Sequence, residues 1–208
     1  MAYSDFTLKT VQNQFELTLS EQSDLFRACL PLEPSLLLKE ILAENIPLAL
    51  GSNTEKARSE LLITPILVEV RRQLKHQISF FSGVSFNVDP EQGLNGSCDF
   101  IITDSQELLV LQSPVITLVE AKKEDLNAGL GQCIAEMVAA QRFNQQEGKV
   151  VKTIYGIVTS GTVWKFLRLE KTTVFIDLSE YYLSQLAEIL GIIAHSALSG
   201  NIRSNNPS

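Results

Sequence analysis

The chain has 208 residues, 45% of them hydrophobic and 20% charged, which suits one globular domain with a sizeable core and excludes disorder except at the ends. It holds no apolar run of about 18 residues and no basic segment leading into an apolar one at "MAYSDFTLKT", which excludes a membrane span and a signal peptide and makes a cytoplasmic protein the expectation. A formal net charge of −7 excludes binding of polyanions through bulk charge, so any nucleic-acid contact has to come from a local patch.

Residues 1–50 carry two short helical patterns, Glu21 to Cys29 and Ser35 to Leu42, separated by the break at Pro31 to Ser35. They read as an N-terminal helical extension ahead of a domain at 51–198. The stretch from Gly51 to His76 predicts one long helix, because Ser52 and Glu55 have capping-box spacing and Leu61, Leu62, Ile66, Leu67 and Val70 recur at helical intervals. Pro65 inside it predicts a kink or a broken hydrogen-bond ladder.

"SFFSGVSFNV" and "CDFIIT", joined by the turn-rich "DPEQGLNGS", read as a hairpin, and "PVITLVEAK" as a third strand. Helical spacing returns from Asn127 to Phe143. Gly129 and Gly131 weaken its first turn and allow it to approach another backbone closely. "VKTIYGIVTS" and "VWKFLRLE" are two strands joined around Gly161. An apolar helix from Ser179 to Leu198 follows, too apolar for a one-sided surface helix, so it either packs deeply or forms a dimer contact. Residues 199–208 read as a disordered tail. The order is helix, three strands, helix, two strands, helix: an α/β arrangement with one sheet covered by helices.

Several chemistries drop out. There is no Walker phosphate loop, GxGxxG turn, GxSxG elbow or HExxH helix. His76 and His195 are too far apart in sequence to suggest a histidine site, and Cys29, Cys98 and Cys133 are scattered in apolar contexts that suit reduced packing residues.

What remains is acidic. On the strand "VITLVEAK", alternation puts Glu120 and Lys122 on one face. Asp99 stands alone among apolar residues in "CDFII", where burial costs several kcal/mol without a compensating ion or partner. If the two strands are adjacent and in register, Asp99 and Glu120 meet, and a divalent cation would relieve their repulsion; hard oxygen ligands suit Mg2+ or Mn2+. Lys122 would stabilise a hydroxide nucleophile or charge developing on a phosphate. Glu60 on the first long helix would supply a further carboxylate or hold a water at the metal, and Gln132 would orient the site or touch substrate. A second E-x-K, Glu147-Gly148-Lys149, sits in a polar loop without an apolar strand before it. The tripeptide therefore gains force only from its setting.

Three segments, "GLNGSCDFII", "VITLVEAKKEDLNAGLGQ" and "YGIVTSGTVWKFLRL", together resemble the core of the PD-(D/E)XK nuclease superfamily. The glutamine-bearing helix and the "TSG" hairpin resemble the nuclease domains of type I restriction enzymes. The resemblance covers about residues 54 to 170 and implies a restriction-endonuclease-like αβββαβ core, a central mixed sheet flanked by helices. It also implies Mg2+ or Mn2+-dependent hydrolysis of DNA, with Asp99, Glu120 and Glu60 at the metal, Lys122 as the motif's lysine and Gln132 as the glutamine of the later helix. Cys98 replaces the usual proline before Asp99. No target-recognition, helicase or ATPase segment is recognisable, so specificity would come from a protein partner, from an oligomer such as a homodimer, or be absent. The alternative is a catalytically silent nuclease-like domain that binds or regulates.

The basic cluster Arg71, Arg72, Lys75 and His76 reads as a solvated helix end complementing the dipole, with phosphate contact as the sharper alternative. Trp164 reads as core rather than as a stacking platform.

Overall fold

The computed structural model describes residues 1–123 and 125–198; the expected tail at 199–208 and Glu124 lie outside them. Within this range a mixed, open sheet of eight strands is flanked by helices on both faces, an α/β fold.

The chain opens with a 3-10 turn, Tyr3–Asp5, and helix α1, Leu8–Gln14, capped by Thr7, whose hydroxyl accepts from Thr10 N. Strand β1, Thr18–Gln22, follows. The helical reading of Glu21 to Cys29 is corrected here: its first residues finish an edge strand, and turns occupy the rest. Helix α2, Leu36–Ser52, begins at Ser35, whose hydroxyl accepts from Leu38 N, and ends at Asn53 in the left-handed conformation.

The single long helix expected from Gly51 is three pieces. Ser52 closes α2, and the cap of the next helix is Thr54, whose Oγ1 accepts from Ala57 N at 3.1 Å. Helix α3, Glu55–Arg58, passes through a π-turn at Ser59–Ile63 into α4, Thr64–Gln73. The disruption lies where Pro65 predicts it. Pro65 has no N–H for the carbonyl of Leu61, and Asn45 Nδ2 from α2 donates to that carbonyl at 2.8 Å instead.

Strands β2, Ser79–Ser85, β3, Ser97–Thr103, and β4, Val115–Ala121, form an antiparallel meander. Helix α5, Leu126–Gln146, capped by Asp125, crosses over to β5, Thr153–Thr159, which runs parallel to β4. β6, Val163–Glu170, and β7, Thr173–Asp177, continue antiparallel, and β1 closes the far edge parallel to β7. The short β8, Tyr181–Tyr182, pairs β6 ahead of helix α6, Leu186–Leu198. The helix expected from Ser179 therefore starts later, its first residues being strand and 3-10 turn.

Two cores result. One, between the sheet and α1 and α5, holds Phe6, Leu118, Cys133, Ile134 and Val158; the other, under α2, α4 and α6, holds Leu42, Ile66, Val119, Trp164 and Ile193. The apolarity of α6 is satisfied inside the chain, since Ile189, Leu190, Ile192 and Ile193 are buried. Trp164 is fully buried, with Nε1 donating to Gly161 O at 3.2 Å. No described helix is long and apolar enough to cross a membrane. At the β2 edge the pairing skips one position: Ser82 faces Phe100 and Val84 faces Cys98, while Gly83, at φ +64, lies between them level with Asp99.

Candidate functional site

β4 is buried from end to end, yet its last residues include a carboxylate. The β3–β4 register pairs Ile101 with Leu118 and Phe100 with Val119. The next position along each strand is Asp99 and Glu120, both on the face covered by α5. Asp99 is half-buried, and its Oδ2 accepts from Ala121 N at 2.7 Å. Glu120 is 2% exposed. Continuing across the sheet, Glu120 pairs with Val158 and Val158 with Lys165, so one row on this face carries an acid, a valine and a lysine.

Lys122 N donates to Thr159 O at 2.8 Å, extending the β4–β5 ladder one residue and directing the side chain back over the sheet. Its Nζ donates to Glu120 Oε1 at 2.5 Å and to Gln132 Oε1 at 3.3 Å. Gln132, in the second turn of α5, donates from Nε2 to Glu120 Oε2 at 2.8 Å. Gly129 makes the arrangement fit: a methyl there would stand 2.8 Å from Val158 Cγ1 and 3.0 Å from Lys122 Cγ.

Burial is the main cause that pushes the Glu120 pKa up to about 7, with the Asp99 carboxylate and then Glu55 adding to it and Lys122 opposing. Burial likewise raises Asp99, against the Ala121 N–H and the Lys122 ammonium. For Lys122, burial pulls its pKa down, but Glu120, Glu55 and Asp99 outweigh it and hold the ammonium above its ordinary range. Glu136, fully buried one turn beyond Gln132, accepts from Gln132 Nε2 at 3.2 Å. Burial, then the Glu120 carboxylate, keeps its carboxyl well above the usual carboxylate range.

Asp99, Glu120, Lys122 and Gln132 thus come together in space. Glu60 does not join them: it lies in the π-turn, its side chain is 59% exposed, and it pairs with Lys56 at 2.9 Å. The helix acid whose charge reaches Glu120 and Lys122 is Glu55, in the first turn of α3. Sequence reading took Glu55 for a capping residue because it treated Ser52 as the helix start. Glu136 was also missed, although it is a lone acid inside the apolar run "CIAEMVAA", the same signal that singled out Asp99. Lys165 is the other omission: 7% exposed, it donates to Asn127 Oδ1 at 3.2 Å, with Glu180 Oε1 at 3.9 Å.

At the basic end of α4 both arginines are engaged within the chain. Arg71 donates to Ile78 O and meets His76, and Arg72 binds Glu69 and Ser35. Among the described residues no three His, Cys, Asp or Glu side chains are drawn close enough to form a ready metal cage. The donor chemistry nevertheless suits a hard dication. Asp99, Glu120, Glu136 and Glu55 act on one another or on Lys122, whose ammonium lowers the pKa of both Asp99 and Glu120. The second oxygen of Glu136 is buried without a hydrogen-bond partner. All three cysteines are free thiols.

No protein-family model matches the sequence, and no curated protein matches it.

Proposed function

We propose that this chain is a metal-dependent nuclease of the PD-(D/E)XK type that hydrolyses phosphodiester bonds in DNA. Its restriction-endonuclease-like core would comprise α4, β2, β3, β4, α5 and β5. The observation that carries the reading is the coincidence of Asp99, Glu120 and Lys122 at one end of the β3–β4 pair, in a sheet where β4 crosses through α5 into a parallel β5. Asp99 and Glu120 would hold Mg2+ or Mn2+, with Glu55 taking the part first expected of Glu60. Bound there, the cation would supply Lewis acidity toward the phosphodiester and acidify the attacking water.

The chain's own residues divide the remaining work. Asp99 is held by Ala121 N–H, so one carboxyl orientation is fixed by the backbone. Glu120 keeps Lys122 beside it in the resting state; once the carboxylates are otherwise neutralised, the ammonium is free to stabilise charge on the phosphate or the attacking oxygen. Gln132 keeps Glu120 and Lys122 aligned with each other. Glu120 is buried beneath α5 and so shielded from water, while Lys122 stays partly exposed.

A silent, binding or regulatory domain is the second reading. It is favoured by the engagement of both Glu120 oxygens, by Lys122 and Gln132. Nicking of supercoiled plasmid with Mn2+ separates the two. Wild type is expected to nick, and Lys122→Ala and Asp99→Asn to lose about a hundredfold or more. Absence of nicking in wild type, or equal rates in all three, would remove the nuclease reading and leave the silent one.

A further inference from the structure

Glu136 is buried at a cost that its own contacts do not explain. At 0% exposure its carboxyl gives up hydration, which the bond from Gln132 and the neighbouring Glu120 carboxyl restore only in part, since one oxygen has no hydrogen-bond partner. The bond it does make goes to Gln132, and the Gln132 amide is divided three ways. Its nitrogen donates to Glu120 Oε2 at 2.8 Å and to Glu136 Oε1 at 3.2 Å, while its oxygen accepts from Lys122 Nζ at 3.3 Å.

This division sets the amide's orientation. An amide nitrogen has two hydrogens and no acceptor capacity, and its oxygen has no hydrogen. Flipped, the group would put its oxygen against Glu120 Oε2 and its NH2 against the Lys122 ammonium, losing both of those bonds. Glu120 and Lys122 alone do not hold the amide, because both are the groups that must rearrange when the site is used. Glu136 is different: it is in mid-helix, in a stretch where Cys133, Ala135, Met137 and Ala140 are all fully buried. It is the fixed point of the network.

We propose that Glu136 is a positioning residue, anchoring the Gln132 amide so that it presents N–H to Glu120 and its carbonyl to Lys122. The proposal rests on the nuclease reading for its purpose, but its geometry can be tested apart from it. Glu136→Gln keeps an acceptor oxygen in the same place; Glu136→Met keeps the volume and removes the acceptor.

Two readouts are needed, Mn2+ affinity by calorimetry and the side-chain amide proton signals of Gln132 by NMR. Glu136→Gln is expected to bind Mn2+ within about threefold of wild type, and Glu136→Met to lose about tenfold or more, as outer-shell changes do. The Gln132 amide protons should stay distinct and slowly exchanging in wild type and Glu136→Gln, and collapse in Glu136→Met. Unchanged signals and affinity in Glu136→Met would overturn the proposal, as would equal loss in both variants. If wild type takes up no Mn2+, the metal reading fails, and the amide signals alone decide whether Glu136 positions Gln132.

Discussion

The carboxyl of Glu120 ionises at odds with its surroundings: burial first, then Asp99, lift its pKa from the usual range to about 7. Between the unfolded value near 4.5 and about 7, the folded chain holds a proton that the unfolded chain releases. Stability therefore falls as pH rises through that window, and the penalty is fully present above it, on the order of 3 kcal/mol. Glu120→Gln removes the titration. Its melting temperature without metal should exceed that of wild type by roughly 5 °C at pH 8 and by little at pH 5. A difference that is the same at both pH values would contradict this. The same neutralisation should abolish any stabilisation by Mg2+ or Mn2+. At this scale much of the site was legible, since Asp99 and Glu120 announce themselves as lone acids in apolar strands and Lys122 follows from alternation. Glu136 satisfies the same criterion on a helix, where one acid per turn is so ordinary that it drew no notice. Glu55 was not recoverable, because choosing it over Glu60 needs the helix break at Asn53 and the π-turn, and hydrophobic spacing records neither.

Among the elements, α5 is the one on which most contacts converge. A methyl on Gly131 would stand 2.3 Å from Phe6 O and 2.4 Å from Thr7 C, so the N-terminal segment lies directly against the helix backbone. The close approach expected of these glycines is made there, and Gly191 does the same for α6, 2.2 Å from Leu30 O. Gly131→Ala cannot be absorbed by a side-chain rotation, because the obstructing atoms are backbone. It should displace Tyr3 to Thr7 and cost about 2 kcal/mol or more, seen as a lowered melting temperature together with new protease cleavage before Thr18. A variant as stable and as resistant as wild type would show that the segment is not seated on α5. Three strands were missed in the sequence: β7, "TVFID", was passed over although it carries the buried Val174 and Ile176, and the other two share one cause. β1, "TLSEQ", is a polar edge strand half exposed along its length, and β8 is two residues long, so neither carries the alternation that marks a strand. The break near Pro65 was legible because proline removes a donor wherever it falls; that Asn45 would supply one was not, since the two residues meet only through packing of α2 on the π-turn.

For the molecule as a whole, the first fifty residues enter both cores. Tyr3, Phe6, Val11 and Leu17 lie in one and Phe26, Leu38, Leu42 and Ala49 in the other, and β1 is hydrogen-bonded along β7. Ser35 joins α2 to α4 through Glu69, whose carboxylate accepts from Ser35 N and Oγ and from Gln73. A chain beginning at Gly51 should therefore lack cooperative unfolding and precipitate on expression, which calorimetry and sedimentation would register; a soluble fragment with one sharp transition would contradict it. Composition already required a core of this size, but the split into two layers depends on strand pairing, which is a long-range property. The opposite edge of the sheet has a consequence of its own. β2 offers its outer N–H and C=O groups to solvent, the arrangement through which sheets recruit strands from other molecules. Gly83 interrupts that row by turning left-handed in the middle of the strand, with open space where a side chain would stand. A foreign strand could match the edge on one side of Gly83 but not run past it. The glycine that leaves the ladder open beside Asp99 thus also keeps seven edge residues from acting as a template for aggregation.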